Sequence, residues 1–158
     1  MKTQRQEPPQ PQPVAGLRSD LVTDCDQLAA LPGDPQTPPN VAGVLQPFQI
    51  DVARALPACD AAMREYPNVA RFVYQAGRVA IAQRDYEKAR RLYERAASAG
   101  SVGALNGLGF LYANGFGVLQ DMVEACDWYR RAAAQGNSTG QSNFNSVCRN
   151  VRSPGSSP

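Results

Sequence analysis

Residues 109–136 read GFLYANGFGVLQDMVEACDWYRRAAAQG, and several of their small and aromatic positions occur a second time earlier in the chain. Setting the later positions against the earlier ones gives a constant separation of 36 residues. The matching pairs are Ala89 with Ala125, Tyr93 with Tyr129, Ala96 with Ala132, Ala97 with Ala133, and Gly100 with Gly136. Upstream, Gly77 corresponds to Gly109 at a separation of 32, so the later unit has four extra residues between its glycine and its alanine. Self-similarity at such a period is typical of helical repeat proteins.

The small residues at these positions predict helices that pack closely in antiparallel pairs. We expect Gly77 to face Ala89 in the first pair, and Gly109 to face Ala125 in the second. The tyrosine four residues after each alanine lies on the same helical face and fills the space toward the next unit. Because one pair cannot bury its own apolar face, the pairs are expected to stack. The predicted repeat-packing residues are Gly77, Ala89, Tyr93, Ala96, Gly109, Tyr112, Ala125, Tyr129 and Ala132.

Capping residues predict where the helices begin. Asp85 is suited to cap a helix over 86–99. Asp121 and Glu124 have the spacing of a capping box for the next helix, and Ser138 begins a weaker box for a last helix that reaches toward residue 151. The predicted fold class is therefore all-α: a short right-handed α-solenoid of antiparallel helix pairs.

The prolines separate the ends of the chain from the repeats, since nine of the 13 lie at or before Pro47. Apolar residues at helical spacing predict a short leader helix over 20–31. Pro57 is expected either to kink the first helix of the repeat region or to start a fresh one. The predicted division is a disordered Gln/Pro-rich tail (1–19), a leader helix and proline-rich loop (20–50), a helical repeat domain (51–151) and a second disordered tail (152–158).

Composition excludes several classes of function. The chain has no histidine, which removes Ser-His-Asp and Cys-His catalysis and histidine metal sites. Lysine plus arginine number 16 against 14 acidic residues, which is too balanced for a nucleic-acid partner. No apolar run approaches the roughly 20 residues of a membrane span. We therefore expect a protein that is not an enzyme, with no cofactor and no metal.

About a dozen positions of the later unit resemble, in order and spacing, the SEL-one-like repeat, a branch of the tetratricopeptide superfamily. The preceding unit resembles the plain tetratricopeptide form at Gly77, Ala89, Tyr93 and Ala96. The resemblance covers about residues 51–148 and implies a bacterial-type interaction scaffold that binds a partner protein. The positions of the later unit are Gly109-Phe-Leu-Tyr112, Gly115-Phe-Gly-Val118, Asp121, Ala125, Trp128-Tyr129, Ala132-Ala133 and Gly136-Asn137.

The segment before the repeats supports a different hypothesis. Residues 25–59 resemble a leader that precedes such repeats in bacterial proteins, some of them C-terminal to a caspase-like domain. One alternative function is therefore a detached or truncated regulatory region of a caspase-like hydrolase. The incomplete last unit also predicts an apolar end through which two copies could associate.

Four cysteines allow three complete disulfide pairings. We rank Cys25–Cys59 first because it would tie the leader to the first repeat helix, which in the chain-entropy model is worth about 3–4 kcal/mol. The alternative is that both are buried thiols in a reducing cytoplasm. A Cys126–Cys148 bridge ranks lower, because these residues do not match the bridge positions of the family's cysteine-rich members. The opening residues lack the apolar core of a signal peptide, so the compartment is cytoplasmic by default. A Cys25–Cys59 bridge would instead indicate a periplasmic, envelope or secreted protein.

The concave face of the stack is the predicted binding site. The first helix of each pair lines this face, and its outward positions carry arginines, amides and aromatic rings. Such side chains suit an extended peptide or a carboxylate. The alternative is that they only coat a short solenoid. The predicted peptide-binding residues are Arg71, Tyr74, Arg78, Asn106, Phe110 and Asn114.

Other polar and glycine-rich features have structural explanations. The glycine-bent stretch 114–118 lacks the Lys-Ser/Thr ending of a phosphate loop, so an interhelix loop is favoured. Two Arg-Arg pairs, at 90–91 and 130–131, fit solvated helix exteriors beside glutamates. Trp128 is expected in the core between helices.

Overall fold

The computed structural model describes residues 21–149 and 151, and within them every regular element is helical. The tails expected at 1–19 and 152–158 lie outside the described residues. A short 3-10 turn at Pro47–Gln49 interrupts the proline-rich loop. The α-helices are α1 (Asp24–Ala29), α2 (Val52–Glu65), α3 (Ala70–Ala82), α4 (Tyr86–Ser98), α5 (Val102–Asn114), α6 (Met122–Ala134) and α7 (Ser138–Val147).

The helices stack in chain order, as a short α-solenoid. Helix α3 packs on α4 and α5 packs on α6, while α4 contacts α5 to join the two pairs. Helix α7 lies against α6 at the C-terminal end, and α1 packs on α2 and α3 at the other end. The all-α prediction is confirmed for the described part of the chain.

The leader helix is shorter than the 20–31 predicted. The Thr23 side chain accepts from the Asp26 backbone N–H, and the Asp26 carboxylate accepts from the Thr23 N–H, so this capping box starts the helix at Asp24. Helix α2 runs from Val52 to Glu65 with Pro57 inside it, so a fresh helix does not start there.

The predicted caps are partly confirmed. The Asp85 carboxylate accepts from the Lys88 N–H at 3.1 Å. Asp121 caps α6 through the N–H groups of residues 123 and 124, but no box with Glu124 forms, because the Asp121 N–H donates to the Tyr112 carbonyl. Asn137, and not Ser138, caps α7, and that helix ends at residue 147.

The glycines of the repeat face tyrosine rings. A Cβ added at Gly77 would lie 2.5 Å from Tyr93, and one at Gly109 would lie 2.5 Å from Tyr129. The nearest neighbours of both glycines are thus tyrosine rings and not the predicted alanines, because each ring reaches back along its helix to the facing backbone. Gly107 touches the other edge of the Tyr93 ring, so the ring lies between two pairs.

The alanines of the repeat are nevertheless core residues, as expected. All four predicted ones are fully buried, and Tyr93 and Tyr129 are buried with them. Tyr112 is partly buried against the cluster around Ala125. Small side chains let the helix axes approach, and the rings fill the space that remains.

Candidate functional site

The leader covers part of the concave face. Arg78, on α3, is only 2% exposed. Its Nη1 donates to the Ala29 carbonyl at 2.7 Å, and its Nη2 donates to the carbonyls of Val44 and Leu45. The guanidinium thus binds the backbone of the chain's own leader.

A second group of polar contacts holds the start of the leader on α3. The Arg71 Nε donates to the Asp26 Oδ1 at 3.1 Å, and its Nη2 donates to the Leu21 carbonyl at 2.9 Å. The Gln75 amide also donates to the Asp26 Oδ1, at 2.8 Å. Asp26 is fully buried, so its charge is compensated by these donors and by its own capping box.

These contacts correct two of the predicted site residues. Arg71 and Arg78 are predicted to bind an external peptide, but Nε and Nη2 of Arg71 and both terminal nitrogens of Arg78 donate to residues 21–45 of the same chain. Most of the acceptors are backbone carbonyls, and carbonyls are present at every residue and leave no sequence signal. Asp26 is the one side-chain acceptor, and it was not predicted from the sequence. Its position three residues after Thr23 has the spacing of a capping box and could have indicated its role.

An open cleft of about 470 Å³ remains beside the leader. Its walls are the loop around Pro47, the C-terminal half of α3, the start of α4, and one face each of α5 and α7. Two exposed rings stand at the cleft, Phe48 at 79% and Phe110 at 40% exposure. The aromatic residues that line the cleft are Phe48, Tyr74, Tyr86, Tyr93 and Phe110.

Aromatic packing holds four of these rings in place, but not Phe48. The rings of Tyr86 and Phe116 stack with centroids 4.5 Å apart, and Phe110 meets Phe116 edge-on at 5.6 Å. The Tyr74 and Tyr93 rings are 5.6 Å apart. Aromatic surfaces that are ordered before binding cost little entropy when a ligand covers them.

The polar part of the lining is cationic and amidic. Arg84 is exposed at the end of α3, and its φ of +60° is in the left-handed region. The Arg84 N–H donates to the Ile81 carbonyl, and the Asp85 N–H donates to the Ala80 carbonyl. These two hydrogen bonds form a helix-ending turn in which the residue at the position of Arg84 is usually glycine. None of the described residues that line the cleft is an aspartate or a glutamate.

The remaining predicted site residues divide between the cleft and its rim. Tyr74, Asn106 and Phe110 line the cleft, as does Arg78. The Asn106 Oδ1 accepts from the Asn143 amide of α7 at 2.9 Å. Asn114 is not part of the lining, because its amide donates to the Phe110 carbonyl one turn earlier and caps the end of α5.

The family model of the Sel1 repeat matches residues 68–101 and 102–137. The chain contains two Sel1 repeats. The first repeat holds α3 and α4 and the second holds α5 and α6, so the unit that resembles the plain tetratricopeptide form is itself a Sel1 repeat. No curated protein matches the chain. Sel1 repeats are modules of protein–protein interaction, and the cleft lies on the first helices of both.

Asp34 is a buried carboxyl that sequence reasoning missed. It belongs to the turn that packs the leader against the start of the second Sel1 repeat, where a Cβ at Gly103 would lie 2.5 Å from its Oδ2. Its Oδ1 accepts from the Gln36 N–H at 2.8 Å, while its Oδ2 has no hydrogen-bond partner. Burial raises the pKa of Asp34, and the Gln36 hydrogen bond and the Arg78 charge oppose that rise.

Both ends of the Sel1 stack carry a disulfide. Cys25–Cys59 joins α1 to α2, as ranked first from the sequence, with Cα atoms 4.6 Å apart. Cys126–Cys148, ranked lower, is also present and joins α6 to the end of α7.

Within the described ranges, no group of three or more metal-ligating side chains comes together. No helix there is both long and apolar enough to cross a bilayer. The arginines expected on helix exteriors form ion pairs within their own helices, Arg90 with Glu94 and Arg91 with Glu87. Trp128 is partly buried as expected, and Arg131 covers its ring at 4.1 Å.

Proposed function

We propose that this Sel1 repeat protein is a non-enzymatic scaffold that binds an extended, acidic segment of a partner protein in the cleft. The observation that carries the proposal is a preformed aromatic cleft with one exposed arginine and no acidic residue among its described lining. The exposed arginine favours a carboxylate in the bound segment, because the two charges are complementary. The aromatic rings favour an apolar or aromatic residue beside that carboxylate.

The leader supports this proposal because it is itself an extended segment bound on the same face. Arg78 binds it by donating to three backbone carbonyls, which is how an arginine recognises a peptide irrespective of side chains. The leader covers the face on the first repeat, while the cleft continues it toward α5 and α7. An external peptide would therefore lie beside the leader and not replace it.

Phe110 and Arg84 are the residues on which binding should depend most. Phe110 projects from the middle of α5 and is held by Phe116 behind it. Buried aromatic anchors and arginines account for most of the binding energy in protein interfaces. Arg84 remains in a backbone conformation that a glycine would adopt more easily, which is the kind of local strain found at functional positions.

Selection from a random peptide library tests the proposal and requires no identified partner. The oxidised protein should enrich peptides in which Asp or Glu neighbours an aromatic or aliphatic residue. Fluorescence anisotropy of an enriched peptide should then show at least about tenfold weaker binding to Phe110→Ala and to Arg84→Ala.

Leu119→Ala is the matched control, because Leu119 is 91% exposed on a loop outside the cleft and should leave binding unchanged. Enrichment of basic peptides, or equal binding by wild type and Phe110→Ala, would contradict the proposal. Self-association through the C-terminal end stays a separate prediction, tested by sedimentation of the chain over a range of concentrations.

The two disulfides favour a second, compatible candidate: a bacterial envelope protein that matures in an oxidising compartment. Structural disulfides persist outside the reducing cytoplasm and are rare within it. Alkylation of thiols in intact cells, followed by mass measurement with and without reductant, tests it. Complete alkylation of all four cysteines before reduction would contradict this compartment.

A further inference from the structure

The two disulfides differ in their access to solvent. Cys25 is 0% and Cys59 is 1% exposed, and both lie in the core formed by the leader, α2 and α3. Cys126 and Cys148 are 9% and 8% exposed. Both also line an open cavity of about 320 Å³ whose other walls include Val123, Phe144 and Val151. The cavity therefore gives a dissolved thiol a route toward one disulfide, whereas the other lies within the core.

We propose that Cys126–Cys148 is a redox-modification site, reduced in the folded protein by small thiols of the glutathione class, and that its reduction releases α7. The Cys25–Cys59 bridge remains closed under the same conditions and is structural.

The cavity presents no charge barrier to an incoming thiolate. Asp127 and Arg130 are its charged lining residues, and the Arg130 guanidinium donates to the Asp127 carboxylate. The two charges compensate each other beside the disulfide. Exchange rates depend on access to the sulfur atoms as well as on the attacking thiolate, so the bridge that lines the cavity should react first.

The exchange proceeds in two balanced steps. A glutathione thiolate attacks one sulfur of the Cys126–Cys148 bridge and forms a mixed disulfide, while the original S–S bond breaks and the other cysteine leaves as a thiolate. A second glutathione thiolate attacks the mixed disulfide and releases the remaining cysteine thiolate together with glutathione disulfide. Two electrons pass from two glutathione molecules to the bridge, and solvent protonates the cysteines.

Helix α7 depends on the bridge because its sequence is a poor helix former. Seven of its ten residues, in STGQSNFNSV, are serine, threonine, glycine or asparagine. Isolated helices of this length are unstable even in alanine-rich sequences. Phe144 and Val147 pack against the cluster that contains Cys126 and Cys148, and Gly140 lies close to Ala132 of α6. With the bridge open, only these contacts and the Asn143–Asn106 hydrogen bond hold the helix on the stack.

Release of α7 would also open one wall of the peptide cleft. Thr139 and Asn143 line that cleft, and Asn143 donates to Asn106 on α5. This consequence rests on the proposed function, whereas selective reduction and helix release do not. The two experiments therefore measure only selective reduction and helix release.

The first experiment exposes the native, oxidised chain to reduced glutathione and traps free thiols with iodoacetamide at intervals. Peptide mass spectrometry should find Cys126 and Cys148 alkylated at least about tenfold faster than Cys25 and Cys59, since a buried bridge reacts only when the surrounding core opens. Equal rates, or earlier alkylation of the leader bridge, would overturn the proposal. Because wild-type protein is used, the result does not depend on whether a variant folds.

The second experiment measures hydrogen exchange in Cys126→Ser/Cys148→Ser and in selectively reduced wild type. Exchange over 138–147 should rise to that of an unfolded segment, while 70–98 stays as protected as before. Retained protection of 138–147 in both samples would refute helix release. Cys25→Ser/Cys59→Ser is the matched control, in which 138–147 should remain protected.

Discussion

Replacing Arg78 with methionine is expected to undock the leader from α3. Methionine keeps a long, flexible side chain but donates no hydrogen bond, so the carbonyls of Ala29, Val44 and Leu45 lose their partner. The native guanidinium is costly to bury, and its desolvation lowers the pKa of Arg78. The substitution therefore removes the desolvation cost of the guanidinium together with three hydrogen bonds.

The magnitude follows from these opposing terms. A hydrogen bond from a charged donor is worth about 1.5–3 kcal/mol, but three of them are not additive here because the guanidinium gives up its hydration. Arg78→Met leaves no unpaired charge but only neutral carbonyls without a donor, and the loss of such a partner costs about 1–3 kcal/mol. We expect the free energy of unfolding to fall by that amount, which is a large fraction of the roughly 5–15 kcal/mol of a small domain.

Urea unfolding and hydrogen exchange together check this prediction. The variant should unfold at lower urea and should lose protection over residues 41–50, while the Cys25–Cys59 bridge keeps α1 attached. Arg91→Met is the matched control, since Arg91 is exposed and pairs only with Glu87, and surface pairs contribute less than about 1 kcal/mol. If Arg78→Met were no more destabilising than this control, the leader would not depend on the guanidinium.

Three further substitutions test other parts of the structure. Arg84→Gly should raise the free energy of unfolding by roughly 0.5–1 kcal/mol, because glycine relieves the left-handed φ at some cost in chain entropy. The same substitution should weaken binding of library-selected peptides. Urea unfolding and fluorescence anisotropy measure the two effects, and a lower free energy of unfolding would contradict backbone strain at Arg84. Burial raises the pKa of Asp34, so the protonated carboxyl stabilises the fold below its unfolded pKa and this stability is lost as pH rises through the folded pKa. Asp34→Asn should therefore gain stability relative to wild type as pH rises from acid to neutral, and thermal unfolding over that range should show a difference that depends on pH. Gly107→Ala should destabilise by about 1–3 kcal/mol although alanine is the better helix former, because its Cβ would lie 2.6 Å from the Tyr93 ring; a higher midpoint of thermal unfolding would contradict that packing.

The leader packs on the first helix of this pair of Sel1 repeats. A short stack has few repeats with which to cover its apolar surfaces, and an extra segment bound across the first unit adds buried area and a disulfide. The surface of the repeats that stays open to solvent is therefore smaller than it would be without the leader. The cleft is shaped by residues from four separate parts of the chain.

The repeat pattern was sufficient to predict the helices and their stacking. Alanines and tyrosines at a fixed separation indicate which face of each helix is buried. Capping residues such as Asp85 indicate where the helices begin. These are local or periodic signals, which each unit carries within its own few turns. For the same reason the core positions Ala89, Tyr93, Ala125 and Tyr129 could be named without coordinates.

The occupant of the concave face was decided only by the tertiary structure. Arg78 looked like a residue that binds a peptide, and it does bind one, but the peptide is the leader of the same chain. The tyrosine partners of the glycines and the Cys126–Cys148 bridge were likewise missed or ranked low. These contacts join segments that are distant in the sequence, and they depend on backbone carbonyls, on the edges of rings and on the distance between cysteines. None of these features produces a periodic pattern in the sequence.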